Sequence, residues 1–276
     1  MPLSVFAVVL FAALLHASWN AIVKGGGNKV LTAVLVSAFS SVLAMVLLPF
    51  LPQPARESWP FIVASTCCQV VYYMMVARTY HVADMSQAYP LMRGTAPLIV
   101  ALVSAFFVAE KLVPLEWVGI AVICCGILTM ALNSRGNAQG AALALMNACV
   151  IATYTLIDGM GVRLSGAPAA YTLWVFLLTG IPLTLWAVLA YKAMFFDYLK
   201  RNWLGGLVGG IGTSTSYGLA LWAMTIAPVA VVAALRETSI LFGALISYFV
   251  LHEKVGRARI AAACVIAAGV MVLKAA

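Results

Sequence analysis

Ten apolar runs of about twenty residues, joined by short polar segments, dictate what this 276-residue chain can become. They cover approximately 3–24, 30–51, 59–79, 86–108, 115–133, 140–162, 169–191, 203–225, 228–250 and 257–274. A run of that length crosses a hydrocarbon core of about 30 Å as a helix. Lipid offers no partner to backbone amides, so each run must satisfy its own hydrogen bonds. Charged residues make up only 9% of the chain and apolar ones 64%, whereas soluble domains are roughly a quarter charged. The expectation is an all-α membrane protein with ten transmembrane helices. The longest joint, from Lys192 to Asn202, reads as a loop of about a dozen residues and leaves no room for a soluble domain. The first run lacks the basic leader and the small-residue cleavage site of a signal peptide, so it reads as a retained helix.

Two stretches are copies of one another. Arg93 through Lys111 aligns with Arg236 through Lys254, and nine of the 19 positions are identical, including the arginine that opens each copy and the Glu-Lys pair that closes it. The same offset matches Ala77 with Ala220, Ser104 with Ser247 and Gly126 with Gly269. Runs three to five thus correspond to runs eight to ten, giving one five-helix unit over residues 1–134 and another over 140–276, hinged at 133–140. Five is odd, so the two units must cross the membrane in opposite senses. That is the inverted-topology repeat of many secondary transporters.

Net charge of +8 would suggest nucleic acid in a soluble chain. Here the basic residues sit in joints or singly within runs and cannot track phosphates, so no nucleic-acid partner is expected. The six cysteines, Cys67, Cys68, Cys124, Cys125, Cys149 and Cys264, fall within apolar runs without metal-ligand spacing and read as small core residues. No metal and no cofactor are expected. Counting Lys and Arg by joint puts ten on one side and four on the side of both termini, which by the positive-inside rule places the termini outside the cytoplasm. Four glycines, Gly205, Gly206, Gly209 and Gly210, form two overlapping small-xxx-small patterns in run eight, read as helix packing.

Ionisable residues within spans are costly and usually face an internal cavity. In the first run His16, Asn20 and Lys24 recur every fourth residue, with Trp19 beside them, forming one stripe. Run three carries Gln69, Tyr72, Tyr73 and Tyr80, run six Asn147, Tyr154 and Asp158, and run eight the sequence from Thr213 to Tyr217. Run four places Tyr89, Pro90, Arg93, Gly94 and Pro97 together, and its two prolines predict a bent or locally unwound helix beside a charge. Arg93 lies eight residues beyond Met85 and Arg236 eight beyond Pro228, about 12 Å along each helix. Each arginine is expected to guard one end of a central cavity and to hold an anion through its permanent, bidentate charge. Glu237 follows Arg236 directly, and adjacent helical residues point apart, so an inter-helix partner or a ligand is required. The candidate substrate-binding residues are Arg93, Arg236, Tyr89, Trp19, Asn20, Tyr72, Tyr73, Tyr154 and Tyr217. His16, Asp158 and Glu237 are the candidates for coupling. Glu110-Lys111 and Glu253-Lys254 read as boundary elements at helix ends.

In each half a small-residue helix ends in Glu-Lys and is followed by a glycine-containing helix, Val118-Gly119 to Gly126-Ile127 and Ile260-Ala261 to Gly269-Val270. In this the chain resembles the EamA family of the drug/metabolite transporter superfamily along essentially its whole length. The segments Ala88 to Pro97 and Ala234 to Thr238 resemble one subgroup, and His16-Ala-Ser-Trp-Asn20 is similar to members found near phosphonate-utilisation genes. The resemblance implies alternating-access secondary transport across the inner (cytoplasmic) membrane, a cavity lined by spans one, three, four, six, eight and nine, and cytoplasmic termini, against the charge count. Relatives of the small multidrug-resistance type exchange protons for cationic drugs through a glutamate in the first helix, where this chain has His16 and Lys24. The expected cargo is therefore a small anionic or zwitterionic metabolite, such as an amino acid, organic acid or phosphonate, with a proton or counter-substrate as coupling partner and the bilayer as surroundings. The residues leave oligomeric state and direction of transport open. The alternatives are export of cationic or hydrophobic drug-like compounds, a non-transporting membrane scaffold, and an intramembrane enzyme built on Ser214 or on an Asp84 and Asp158 pair. The last lacks the flanking glycine of a serine elbow and any HExxH motif.

Overall fold

The computed structural model describes the backbone of residues 1–25, 27–83, 85–108, 110–132, 138–249 and 256–276. Asp84, the hinge at 133–137 and the Glu253-Lys254 pair lie outside the described residues, as do the side chains of Lys24, Ala77, Tyr80 and Ser247. Among the described residues there is no strand. The helices are α1 (Leu3–Gly25), α2 (Lys29–Leu47), α3 (Trp59–Val82), α4 (Met85–Phe107), α5 (Pro114–Leu132), α6 (Ala138–Ser165), α7 (Pro168–Tyr191), α8 (Ala193–Met224), α9 (Val229–Arg236), α10 (Ser239–Phe249) and α11 (Arg257–Ala275). Single 3-10 turns lie at Leu48–Phe50 and Arg56–Ser58.

Seven stretches are long and apolar enough to cross a membrane: Leu3–Ile22, Lys29–Phe50, Arg56–Val76, Gln87–Phe107, Ala138–Ser165, Pro168–Tyr191 and Val229–Ile246. Two further apolar helices are shorter, Pro114–Met130 and Ile260–Ala275. Helix α8 has the length, but its glycines and the hydroxyl run Thr213–Ser216 dilute its apolar character. On length and composition the described residues therefore give seven spans where the apolar runs predict ten. Large apolar side chains such as Phe11, Phe107, Leu189 and Met271 face outward, as lipid requires of a multi-pass membrane protein.

Three local expectations are corrected. The segment 192–202 is helix rather than loop: Lys192, at φ 47°, makes a one-residue turn, and α8 begins at Ala193. Phe195 is buried against α2 with Leu31 and Leu35, and the Tyr198 hydroxyl lies 2.7 Å from that of Thr32, so the extension has an amphipathic reason to stay helical. The prolines of α4 do not unwind it, since it is helical from Met85 to Phe107, as happens where neighbouring helices resatisfy the freed carbonyls. The break falls instead in the other copy, between α9 and α10. There the amides of Glu237 and Thr238 donate three residues back, to Ala234 and Leu235, at 3.1 and 3.0 Å. The Thr238 hydroxyl adds a 2.7 Å bond to the Leu235 carbonyl. These bonds close the tight last turn that ends α9. The cysteines are a further correction: Cys67, Cys125, Cys149 and Cys264 are exposed on the outer face, and only Cys124 is buried.

Helix α5 packs along α11, α2 along α7 and α8, α3 against α6, and α1 against α8, α9 and α10, while α4 meets α5 and α6. Small residues make the closest approaches possible. A Cβ on Gly269 would stand 2.9 Å from the Ile123 amide nitrogen of α5, and one on Gly210 would stand 2.9 Å from that of Ser40 on α2. The apolar centre gathers Val9, Ile62, Ile120, Ile127, Leu221, Met224 and the whole of α9 up to Leu235. Helix α9 thus delivers Arg236 and Glu237 into the middle of the bundle.

Candidate functional site

Arg93 and Arg236 come to one place rather than to opposite ends. Both line one narrow, tightly closed cleft, together with Tyr154 of α6 and Glu237. Pro97, one turn beyond Arg93, forms part of the same wall. The two guanidinium groups are treated differently. Arg93 Nε donates to Glu237 Oε2 at 2.9 Å, and Nη2 lies 2.8 Å from Oε1 in an ionic contact whose hydrogens are poorly aimed. Arg93 is 8% exposed and Glu237 4%, so this pair is desolvated, and either member alone would be a stranded charge. The break after Arg236 is what frees the Glu237 carboxylate to turn toward α4.

Arg236 has no carboxylate within ion-pair distance among the described residues. Its guanidinium carbon sits 4.9 Å from the centre of the Tyr217 ring, a cation–π contact that leaves the donors available. The Tyr217 hydroxyl donates to Asp158 Oδ2, and Tyr171 donates to Oδ1 at 3.0 Å. Asp158 is wholly buried in α6. Tyr171 is a partner that the sequence reading missed, because a tyrosine three residues into a helix reads as an interfacial residue.

The other candidates gather with uneven closeness. Tyr72 stacks edge-on against Tyr154 at 5.9 Å and against Tyr73 at 5.4 Å. Tyr72 and Tyr89 both stand within electrostatic reach of Arg93 and Glu237. His16 lies within reach of both arginines and meets Trp19 edge-on at 5.2 Å. The Trp19 indole N–H is buried without a hydrogen-bond partner among the described residues. The Asn20 amide donates to the His16 carbonyl of its own helix at 2.8 Å, and Tyr73 meets Tyr72 and stands within electrostatic reach of Tyr154. Gln69 bonds Ser65 within α3, and Ser216 bonds the Ala12 carbonyl, so these polar positions serve helix contacts. Among the described residues no three His, Cys, Asp or Glu side chains stand close enough to hold a metal ion.

At one end of the group, Glu110 does more than mark a helix boundary. Its carboxylate takes Arg163 Nη2 at 2.6 Å and the amide of Val229, the first residue of α9, at 3.1 Å. Arg163 also donates to the carbonyls of Met224 and Ala227, at 2.8 and 3.1 Å. One carboxylate therefore fastens the end of α4, the end of α6 and the start of α9, and it suits the positive N-terminus of that helix.

Residues 138–274 match the model of the EamA-like transporter family. The chain belongs to that family, within the drug/metabolite transporter superfamily. No curated protein matches its sequence. A crystal structure described only as that of a protein superposes on this EamA-like chain with a TM-score of 0.80, covering 99% of this chain and 97% of its own, at 18% sequence identity. At that identity the likeness speaks for the fold alone.

Proposed function

We propose that this EamA-like protein is a secondary transporter that carries a small anionic or zwitterionic metabolite by alternating access across the inner membrane. The observation that carries the reading is the inequality of the two cavity arginines. Arg93 is neutralised by Glu237, whereas Arg236 faces the same cavity with no carboxylate of its own among the described residues. A guanidinium with no carboxylate in contact, in a low-dielectric site, attracts a carboxylate or another oxyanion and repels a cation. Tyr154 would flank the bound molecule, with Tyr72 behind it and Trp19 and Tyr89 nearby offering an indole N–H and a phenol.

Alternating access is supported by exchange symmetry in the helix contacts. Shifting by five spans, counting α9 and α10 as one, turns the α3–α6 contact into α8–α1, and the α4–α6 contact into that of α9 and α10 with α1. The α2–α7 and α5–α11 contacts map onto themselves. That is the pattern expected of two five-helix units, 1–134 and 140–276, related by a two-fold axis in the membrane plane. The enzyme reading finds little support: the Ser214 hydroxyl is buried and, among the described residues, has no hydrogen-bond partner to act as its base.

A thermal-stability screen of the detergent-purified protein against anionic, zwitterionic and cationic metabolites tests this, because binding to the native state raises apparent stability. Stabilisation by anions or zwitterions that disappears in Arg236→Gln is expected. Stabilisation by cations alone, retained in that variant, would overturn the reading in favour of drug efflux.

A further inference from the structure

Arg236, which has no carboxylate in contact among the described residues, shares a single aromatic ring with a buried acid. Tyr217 presents its face to Arg236, 4.9 Å from the guanidinium carbon, and its hydroxyl to Asp158. Asp158 has no exposed surface, and its second oxygen is taken by Tyr171 at 3.0 Å. The groups around it are few. Ser65 and Cys68 face it from α3, Tyr171 from α7, Tyr217 from α8 and Arg236 from the end of α9. On α4, which also packs against α6, Arg93 is held by Glu237. The 3-10 turn at the far end of α6 carries Arg56 and Glu57, both exposed, and Arg163 of α6 itself is bound to Glu110. Arg236 is thus the one cation near Asp158, among the described residues, with no carboxylate within ion-pair distance, although Glu237 also stands within its electrostatic reach.

We infer that Asp158 is a proton-binding site linked through Tyr217 to the anion site at Arg236, so that one proton and one anion are bound and carried together. The inference rests on the anion-transporter reading given above. Ionised, Asp158 supplies the countercharge of Arg236 across the ring. An anion arriving at Arg236 supplies that charge a second time, and in a dry interior two negative charges around one cation repel. Taking up a proton at Asp158 removes the duplicate charge, so each binding event favours the other by the same factor. The chemistry needs no rearrangement of the rings. A neutral carboxyl donates its O–H, and the Tyr217 phenol oxygen, which donates to the carboxylate now, can accept that bond. The proton comes from water on the side to which the cavity opens and leaves with the anion on the other, and nothing else is consumed.

The test uses the purified full-length protein in lightly buffered detergent, with pyruvate and methanesulfonate as probes, both fully ionised over the pH range used. Calorimetry gives affinity, and a pH-sensitive dye counts protons. The expected result is uptake approaching one proton per bound anion, with Kd weakening by up to about tenfold per pH unit where Asp158 titrates. In Asp158→Asn the anion should bind with no proton uptake and with a Kd independent of pH. Tyr217→Phe, which keeps the ring beneath Arg236 but removes the hydroxyl, should lower the number of protons taken up per bound anion. Anion binding without proton uptake in the wild type, or equal uptake in Asp158→Asn, would overturn the linkage and leave the transporter reading standing. Failure of both probes to bind, with Arg236→Gln indistinguishable from wild type, would count against the anion site itself and remove the inference with it.

Discussion

Helix α4 and the α9–α10 pair are copies in sequence and opposites in structure. The first contains two prolines and runs unbroken, and the second breaks with no proline near the break. The difference lies in the residue after the arginine. Gly94 is buried, and a Cβ there would stand 3.0 to 3.2 Å from Leu128 and Ile127 of α5, so α4 is clamped flat along its neighbour. The matching Glu237 carries a charge that must reach Arg93 on another helix, and Thr238 offers its hydroxyl to the backbone behind it. A proline removes one hydrogen bond, whereas a buried carboxylate demands a partner, and here the second effect decides the geometry. The copies have diverged into a straight wall whose arginine is ion-paired and a broken helix whose arginine rests on the Tyr217 ring.

The sharpest way to break this asymmetry is to strand one member of the ion pair. Arg93→Leu or Glu237→Leu alone should each cost about 3–5 kcal/mol, while the double variant recovers most of that loss. Arg236→Leu, which removes a cation–π contact, should cost no more than about 2 kcal/mol. SDS-titrated unfolding of the purified protein reads all four, and equal losses at Arg93 and Arg236 would erase the distinction. A smaller effect is expected from Gly210→Leu, which drives a side chain into α2 beside Ser40 and should destabilise by about 1–3 kcal/mol in the same assay. Glu110→Gln removes the charge that caps α9 and holds Arg163. A loss of about 1–2 kcal/mol is expected, together with faster hydrogen exchange at the first amides of α9 but not of α4. The smallest effect belongs to Pro97→Ala. Because α4 is already helical there, stability should change by less than about 1 kcal/mol, and a large gain would mean that the proline holds strain.

The apolar runs and the repeat made most helices, both arginines and the tyrosines around them legible in the sequence, because lipid imposes a length on each span and polar residues inside spans are few. What stayed hidden depended on partners distant in the chain. The helical turn at Lys192 needs Phe195 to find Leu31 and Leu35 across the bundle. The break at Glu237 is set by Arg93, 144 residues away. Tyr171 became part of the site only because α7 brings it to Asp158, and no periodicity in its own helix marks it. The prolines misled for a related reason: their cost is local, but relief comes from helices that a single run cannot display.

Glu110 has a mechanical meaning beyond stability. Its carboxylate receives a guanidinium from α6 and the leading amide of α9, so any motion that pulls α9 away from α6 must give up either the charged bond to Arg163 or the cap of α9. The end of α4 therefore chooses which neighbour it keeps, and the cavity arginine at the far end of α9 travels with that choice.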